Sequence, residues 1–413
     1  MFNQNQISTT LVGFLLLLAV LASGQSPTIS GRVIDGQTGE PLVYATVALR
    51  NKPVGTITNH QGEFDFHIPD GHRNDQLVVS MLGYVDFSIS VSEGLAMSPL
   101  VIRLQPGQTL LNEVTITGKL SPGEMLRVAL KRIEKNYPME PVEMAAFYRE
   151  TRQVNDDYVA LLEAAVRIYD KDYRAPKDRT RLRERVALVE VRRTLEYDYE
   201  LEKYFSQYNL LEDLLLENFV KYRSFSNEEA FYQHLKKKRV PGYNNRPITL
   251  LYLQEPGYDL KIYIDEKFAI RKIVFKYGDG QQPLFVFTRR HLQSRAMYVT
   301  KELEFQEYQG RLYLKYIAAR YHYTWQDMRK NLPVLTTTVE QALLVNELNV
   351  DNPRWISNKE KMRHYGLQFQ HKAYNREFWS NYNTIKEMPL NRKAVADLEK
   401  YLPLEQQFAS FRE

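Results

Sequence analysis

The chain has 413 residues, 44% hydrophobic and 25% charged, with a formal net charge of +5 and no cysteine. That apolar content supports packed cores and argues against wholesale disorder, and the length suggests two or three structural units. The missing cysteines exclude disulfides, thiolate catalysis, cysteine zinc sites and a lipidated cysteine anchor.

An export signal is the first predicted element. Leu11–Ala22 is apolar but shorter than the roughly 20 residues a membrane-spanning helix needs. Leu21-Ala22-Ser23-Gly24 then places small residues where a signal peptidase reads them, although no Lys or Arg precedes the run. Residues 1–24 are therefore expected to be a signal peptide, with the mature chain starting at Gln25 in the periplasm or at the outer-membrane periphery.

Residues 27–118 read as short strands. Ile29, Gly31 and Val33 alternate with polar neighbours, as do Ala45, Val47 and Leu49, then Phe64, Phe66 and Ile68. Leu77, Val79 and Met81, then Phe87, Ile89 and Val91, then Leu100, Ile102 and Leu104 continue the pattern. Such period-2 alternation buries one face of each strand, and turn clusters such as Asp35–Gly39, Asn59–Gly62 and Pro69–Gly71 separate the strands. The expected unit is a β-sandwich.

Particular residues in this stretch carry a resemblance. Gly31-x-Val33-x-Asp35, Gly39-x-Pro41-Leu42-x-x-Ala45-x-Val47, Gly55-x-x-Thr58-Asn59-x-x-Gly62-x-Phe64-x-Phe66 and Leu77-x-Val79-Ser80-x-x-Gly83-Tyr84 follow one another, and Leu111–Gly118 closes the stretch with a Leu-x-Glu-Val strand. Together they resemble the carboxypeptidase regulatory-like domain. The resemblance implies a transthyretin-like sandwich of seven strands and the envelope of a Bacteroidota cell. Asn59 stands where Asp is more usual, and its amide oxygen can still serve the turn.

Residues 119–390 are expected to form an α+β body. Ser121-Pro122-Gly123-Glu124 is a helix start with its N-cap, its proline in the first turn and its capping glutamate. The helix should run to about Asn136, before Pro138. Strands are expected at Met144–Val154 and Tyr158–Tyr169, and a more helical stretch from about 181 to 235. Seven further strands are expected between Thr249 and Glu347, with hairpin turns at Asp265-Glu266-Lys267 and Gln309-Gly310. Residues 391–413 should be a helical tail. The fold class is thus mainly β with an α+β second part: a seven-stranded sandwich, then a large antiparallel sheet decorated by helices. A helix followed by antiparallel strands is also similar to lipoprotein-carrier half-barrels. Phe147-Tyr148-Arg149-Glu150 and Phe378-Trp379-x-x-Tyr382-Asn383 resemble the region that follows the sandwich in Bacteroidota envelope proteins.

Few residues point to chemistry. His60-x-x-Glu63 has zinc-ligand spacing but lies on a turn of the sandwich, where no third ligand is at hand. His364 and His371 would share one face of a helix but not of a strand. No phosphate loop, dinucleotide fingerprint or nucleophile elbow is present. The expected sites are accordingly none: no catalytic residue, no cofactor and no metal. The basic runs Arg179–Arg185 and Lys236–Arg239 read as solvated faces balanced by Glu184, Glu190 and Glu228-Glu229, with no nucleic-acid partner. Arg149, Glu150 and Glu163 form a polar cluster on two strands otherwise rich in Ala, Leu, Val and Tyr, and with a three-residue loop at 155–157 Arg149 falls opposite Glu163, either as a charged anchor in a ligand cavity or as a cross-strand ion pair. The expected function is non-catalytic envelope binding or scaffolding of a protein or lipid partner, with peripheral membrane contact and an open oligomeric state. The alternatives are an acyl-chain or lipoprotein carrier with a half-barrel cavity, and a hydrolase with an unrecognised site.

Overall fold

The computed structural model describes residues 26–107, 120–195, 201, 203–205, 210–278, 280–362, 366–370, 372–386 and 392–410. The expected signal peptide, the closing strand Leu111–Gly118, and His364 and His371 lie outside the described residues.

Strands β1 (Thr28–Asp35), β2 (Thr46–Leu49), β3 (Gly55–Ile57), β4 (Glu63–His67), β5 (Gln76–Ser80), β6 (Phe87–Ser90) and β7 (Leu100–Leu104) form two sheets, β4-β1-β7 and β3-β2-β5-β6. These are the seven strands of the sandwich. The short β3 is not anticipated by the alternation, and Val91 starts a helix, Val91–Met97, in place of ending β6. Val33, Val47, Phe64, Phe66, Leu77 and Val79 are fully buried between the sheets. Gly31 is required by close approach: a Cβ there would lie 2.7 Å from the Leu100 carbonyl oxygen and 2.8 Å from the Phe64 ring. In the β3–β4 turn the Asn59 side-chain oxygen accepts from the Gln61 and Glu63 amides at 2.9 and 2.8 Å, while Gly62 takes the left-handed φ of +74°.

Behind the sandwich lies one open antiparallel sheet of 11 strands. Its elements are β8 (Val142–Val154), β9 (Asp157–Asp170), β10 (Arg185–Arg193), β11 (Lys236–Pro241), β12 (Pro247–Glu255), β13 (Tyr258–Ile264), β14 (Ile270–Tyr277), β15 (Val286–Arg289), β16 (Leu292–Tyr308), β17 (Arg311–Asp327) and β18 (Leu332–Asn349). They lie in the order β10-β9-β8-β18-β17-β16-β14-β13-β12-β11, with β15 paired to β16. One of them corrects the expectation of helix, and another gives a solvated basic run its place as a strand. Arg185–Arg193, within the stretch expected to be helical, is an edge strand, because Val186, Val189 and Val191 favour a pleated, half-buried surface. Lys236–Pro241 is the opposite edge, where a run of lysines discourages pairing with another chain. The acidic neighbours of the basic runs pair with cations outside those runs: Glu184 with Lys221, Glu190 with Lys372 and Glu229 with Arg127.

The two faces of the sheet have different roles. One face is covered by helices Pro122–Lys131, Leu210–Leu216 and Glu229–His234. The first of these carries the expected capping box, with the Glu124 amide on the Ser121 hydroxyl and the Glu124 carboxylate on the Ser121 amide. Leu126, Leu214, Ile262, Leu303, Ile317 and Leu343 meet beneath these helices, none more than 2% exposed. The face that a carrier would line with aromatic and aliphatic side chains is therefore filled by its own helices. The sandwich packs on the other face. Ile57 and Tyr44 of the sandwich, Phe147, Ala165, Tyr316 and Leu344 of the sheet, and Trp379 of helix Arg376–Asn381 form that contact.

Candidate functional site: a polar cleft between sandwich and sheet

The sandwich-bearing face of the sheet is built in rows set by strand register. The row nearest the sandwich holds Glu304 of β16, Tyr316 of β17, Leu344 of β18 and Phe147 of β8 as successive partners. Polar contacts anchor the sandwich at its end. Glu304 is 5% exposed and accepts from Lys315 at 2.7 Å, Lys272 at 3.1 Å and the Tyr243 hydroxyl at 2.8 Å, and Lys315 also donates to the Thr46 hydroxyl. Burial alone would raise the Glu304 carboxyl, but Lys315 and Lys272 outweigh it and hold it well below the carboxylate range. Further along, Asn383 clasps the backbone of His67, accepting from its amide at 2.8 Å and donating to its carbonyl at 3.0 Å.

The next two rows are uncovered and make the site. One runs Val274, Glu302, Ala318, Ala342, Arg149, Glu163 and Arg192 across β14, β16, β17, β18, β8, β9 and β10. The other runs Lys276, Thr300, Arg320, Glu340, Thr151 and Leu161. Side chains in register on one face stand about 5 Å apart, so a pair of alanines amid long residues leaves a hollow. Ala318 and Ala342 are such a pair. The hollow encloses about 290 Å³, roofed by Tyr44 and His60 from the sandwich and by Ile385.

Its walls divide into satisfied and unsatisfied charge. Glu163, 1% exposed, accepts Nε–H bonds from Arg149 and Arg192, each at 2.6 Å. Burial would raise its carboxyl, but Arg192 and Arg149 outweigh that and lower it. Glu302 is paired with Lys272 at 2.6 Å. Arg320 and Glu340 differ: they are direct partners across β17 and β18, yet the side chain of neither forms a hydrogen bond or ion pair with a described residue. Tyr44 stands on a left-handed backbone at φ +62°, its hydroxyl 3.0 Å from His60 Nε2 and its ring 4.9 Å from that of Tyr316. Burial raises the Tyr44, Tyr158 and Tyr316 hydroxyls, so they keep their protons and can donate.

The expected pairing of Arg149 with Glu163 is present, with a different turn beside it. The β8–β9 loop has two residues, Asn155 and Asp156, both left-handed, and a bulge beyond Gln153 restores the expected register. The two alternatives for this pair merge, because the ion pair also lines the hollow. Glu150 points to the opposite face, where it accepts from Arg152 at 2.6 Å and from the Tyr148 hydroxyl at 2.8 Å. His60 and Glu63 share no ligand site: His60 turns to Tyr44, while Glu63 lies in β4 as the register partner of Arg32 in β1. Among the described residues no group of three His, Cys, Asp or Glu is placed to hold a metal ion. Tyr44, Arg320, Glu340 and the alanine pair carry no motif, and their only signal in the sequence is small residues inside strands otherwise full of large ones.

A separate buried network lies away from the cleft. Lys221, fully buried, bridges Asp170 at 2.5 Å and Glu184 at 2.8 Å and pins helix Phe219–Tyr222 to the ends of β9 and β10. Burial pushes the Asp170 carboxyl up to about 6 despite Lys221.

The sandwich strands, the Asn59–Gly62 turn and the buried Phe64-x-Phe66 pair bear on kinship. Residues 29–116 match the CarboxypepD_reg-like domain. TonB-dependent receptor P3 of Formosa agariphila is 28% identical over 116 residues, which is 28% of this chain and 11% of the receptor. TonB-dependent receptor SusC of Bacteroides thetaiotaomicron is 31% identical over 103 residues, 25% of this chain and 9% of the receptor. The chain thus spans about a tenth of the length of the curated relatives it matches. Among solved structures, a LolA superfamily protein from Nitrosomonas europaea covers 59% of this chain and 98% of its own, at 13% identity and a TM-score of 0.22. Among the described residues no helix is long and apolar enough to cross a membrane, which leaves open any crossing by strands.

Proposed function

We propose that this chain is a non-catalytic binding protein of the bacterial envelope whose cleft holds a small zwitterionic ligand, such as a short peptide. The observation that carries this reading is the Arg320–Glu340 pair, one cation and one carboxylate on neighbouring strands at the hollow, their side chains without a hydrogen bond or ion pair to any described residue. A zwitterion supplies a carboxylate to Arg320 and an ammonium to Glu340, while the tyrosine hydroxyls donate to its amide oxygens. The volume lies at the lower end of the usual range for ligand pockets, roughly 300–1,000 Å³. The apolar run before Gly24 and the TonB-dependent receptors among the relatives support an envelope location. An acyl chain, by contrast, would have to displace the helices that fill the apolar face.

Isothermal titration with the dipeptide Ala-Ala, its N-acetyl amide and glucose tests the reading. The uncapped dipeptide should bind and be recovered intact, and Arg320→Ala or Glu340→Gln should each weaken it at least tenfold. Binding of all three probes alike, of none, or equal binding by the variants would contradict the proposal, and hydrolysis of the dipeptide would contradict its non-catalytic part.

A further inference from the structure

We propose that the corner of the sheet where β15, β16, β17 and β18 end is a docking surface for an anionic membrane. The inference is independent of the cleft. Every residue of β15 is exposed, and the apolar ones are large: Phe287 is 59% and Val286 48% exposed. Leu332 at 57% and Met328 at 46% join them from the β17–β18 turn. Register and one backbone bond place both groups at the same end of the sheet, Arg289 at the end of β15 being the partner of Leu292. Leu292 pairs with Asp327, Asp327 with Leu332, and the Met328 amide donates to the His291 carbonyl at 2.8 Å. Soluble chains rarely leave a contiguous apolar corner in water, least of all on strand ends that could pair with another chain.

Charge decides what covers it. The segments Leu284–Ala296 and Trp325–Leu335 hold Arg289, Arg290, Arg295, Arg329 and Lys330, against the single carboxylate Asp327. Asp156 and Asp157 lie in the next turn along the sheet, Asp157 already paired with Lys393 at 2.5 Å. A second copy of this corner would meet five like charges, whereas an anionic bilayer meets opposite ones and accepts the phenylalanine and leucine at its interface. The geometry suits such docking. Asp327 is 11 residues along β17 from Tyr316, so the sandwich stands roughly 36 Å back from the corner at about 3.3 Å per residue.

Flotation of the full chain with phosphatidylglycerol–phosphatidylcholine vesicles, compared with phosphatidylcholine alone, tests the proposal. The chain should float with the anionic vesicles only, and about 0.5 M salt, where the Debye length is about 4 Å, should release it. Each basic residue near such a surface strengthens binding about fivefold, so Arg289→Gln with Arg290→Gln should weaken flotation about 25-fold. Phe287→Ser with Leu332→Ser should weaken it on the same vesicles. Both pairs lie at exposed positions and should leave the melting temperature unchanged. No flotation, equal flotation with the neutral vesicles, or variants that float like the parent would overturn the proposal. A dimer by light scattering that Phe287→Ser with Leu332→Ser converts to monomer would overturn it in favour of self-association.

Discussion

Replacing Glu163 by Gln probes the charged row that floors the cleft. Glu163 is 1% exposed and neutralises two guanidinium groups at 2.6 Å each, with Arg149 and Arg192 themselves largely covered. An exposed cross-strand pair would contribute only about 0.2–1 kcal/mol. Breaking a buried pair leaves uncompensated charge and costs about 3–5 kcal/mol. The Gln amide oxygen can still accept one of the two bonds, so the loss should fall near the lower end, about 3 kcal/mol. In urea that corresponds to a midpoint lowered by roughly 1 M at an m-value of about 3 kcal/mol/M. The pH dependence gives a second check. Because the native Glu163 carboxyl is lowered, its contribution is complete above the ordinary glutamate value of 4.5 and is lost as pH falls from there toward the lowered one. The gap between parent and variant should therefore shrink below pH 4.5. A midpoint shift under about 0.3 M at pH 7, or a gap that widens in acid, would refute the assignment of a buried, charge-compensated Glu163.

Phe66→Ala should cost about 3–5 kcal/mol in thermal or urea unfolding, as a fully buried large-to-small change, while His67→Ala, at a half-buried position on the opposite face, should cost about 1 kcal/mol, from its Thr28 hydrogen bond. Gly62→Ala should cost about 1–3 kcal/mol by the same measurement, because φ is +74° and the new Cβ would sit 2.3 Å from the Val33 carbonyl oxygen. Lys221→Ala strands Asp170 and Glu184 in the interior and should cost about 3–5 kcal/mol, whereas a loss under 1 kcal/mol would show that water reaches this network.

Most of the sandwich is legible in the sequence because β2, β4, β5 and β7 alternate between buried and wetter positions and turns such as Asn59–Gly62 carry the residues they need, whereas β3, three residues long, gives too little pattern to read. Most of the large sheet is legible for the same reason, and Gln309-Gly310 makes its expected tight turn with φ of +48° and +75°. Arg185–Arg193 is harder, since flanking arginines and glutamates suit a helix surface as well as a strand edge, and only the neighbouring β9 decides between them. The β8–β9 hairpin departs from the expected one twice, by a loop one residue shorter and by a bulge, and the two offset each other to leave Arg149 opposite Glu163. The site itself is hidden for a physical reason. A hollow made by Ala318 beside Ala342 exists only once β17 and β18 are in register, and Arg320 faces Glu340 only then. Tyr44 and His60 roof the hollow through packing of the sandwich on the sheet, which no local pattern in the chain encodes.

The most direct test fills the hollow from its floor. Ala318→Leu with Ala342→Leu places two isobutyl groups where the ligand would lie, on a face that has room for them. Titrated with Ala-Ala, the parent should bind and the doubly substituted protein should not, while both unfold at similar urea midpoints. A leucine-filled protein that binds the dipeptide with the parent's Kd would contradict the cleft as the binding site.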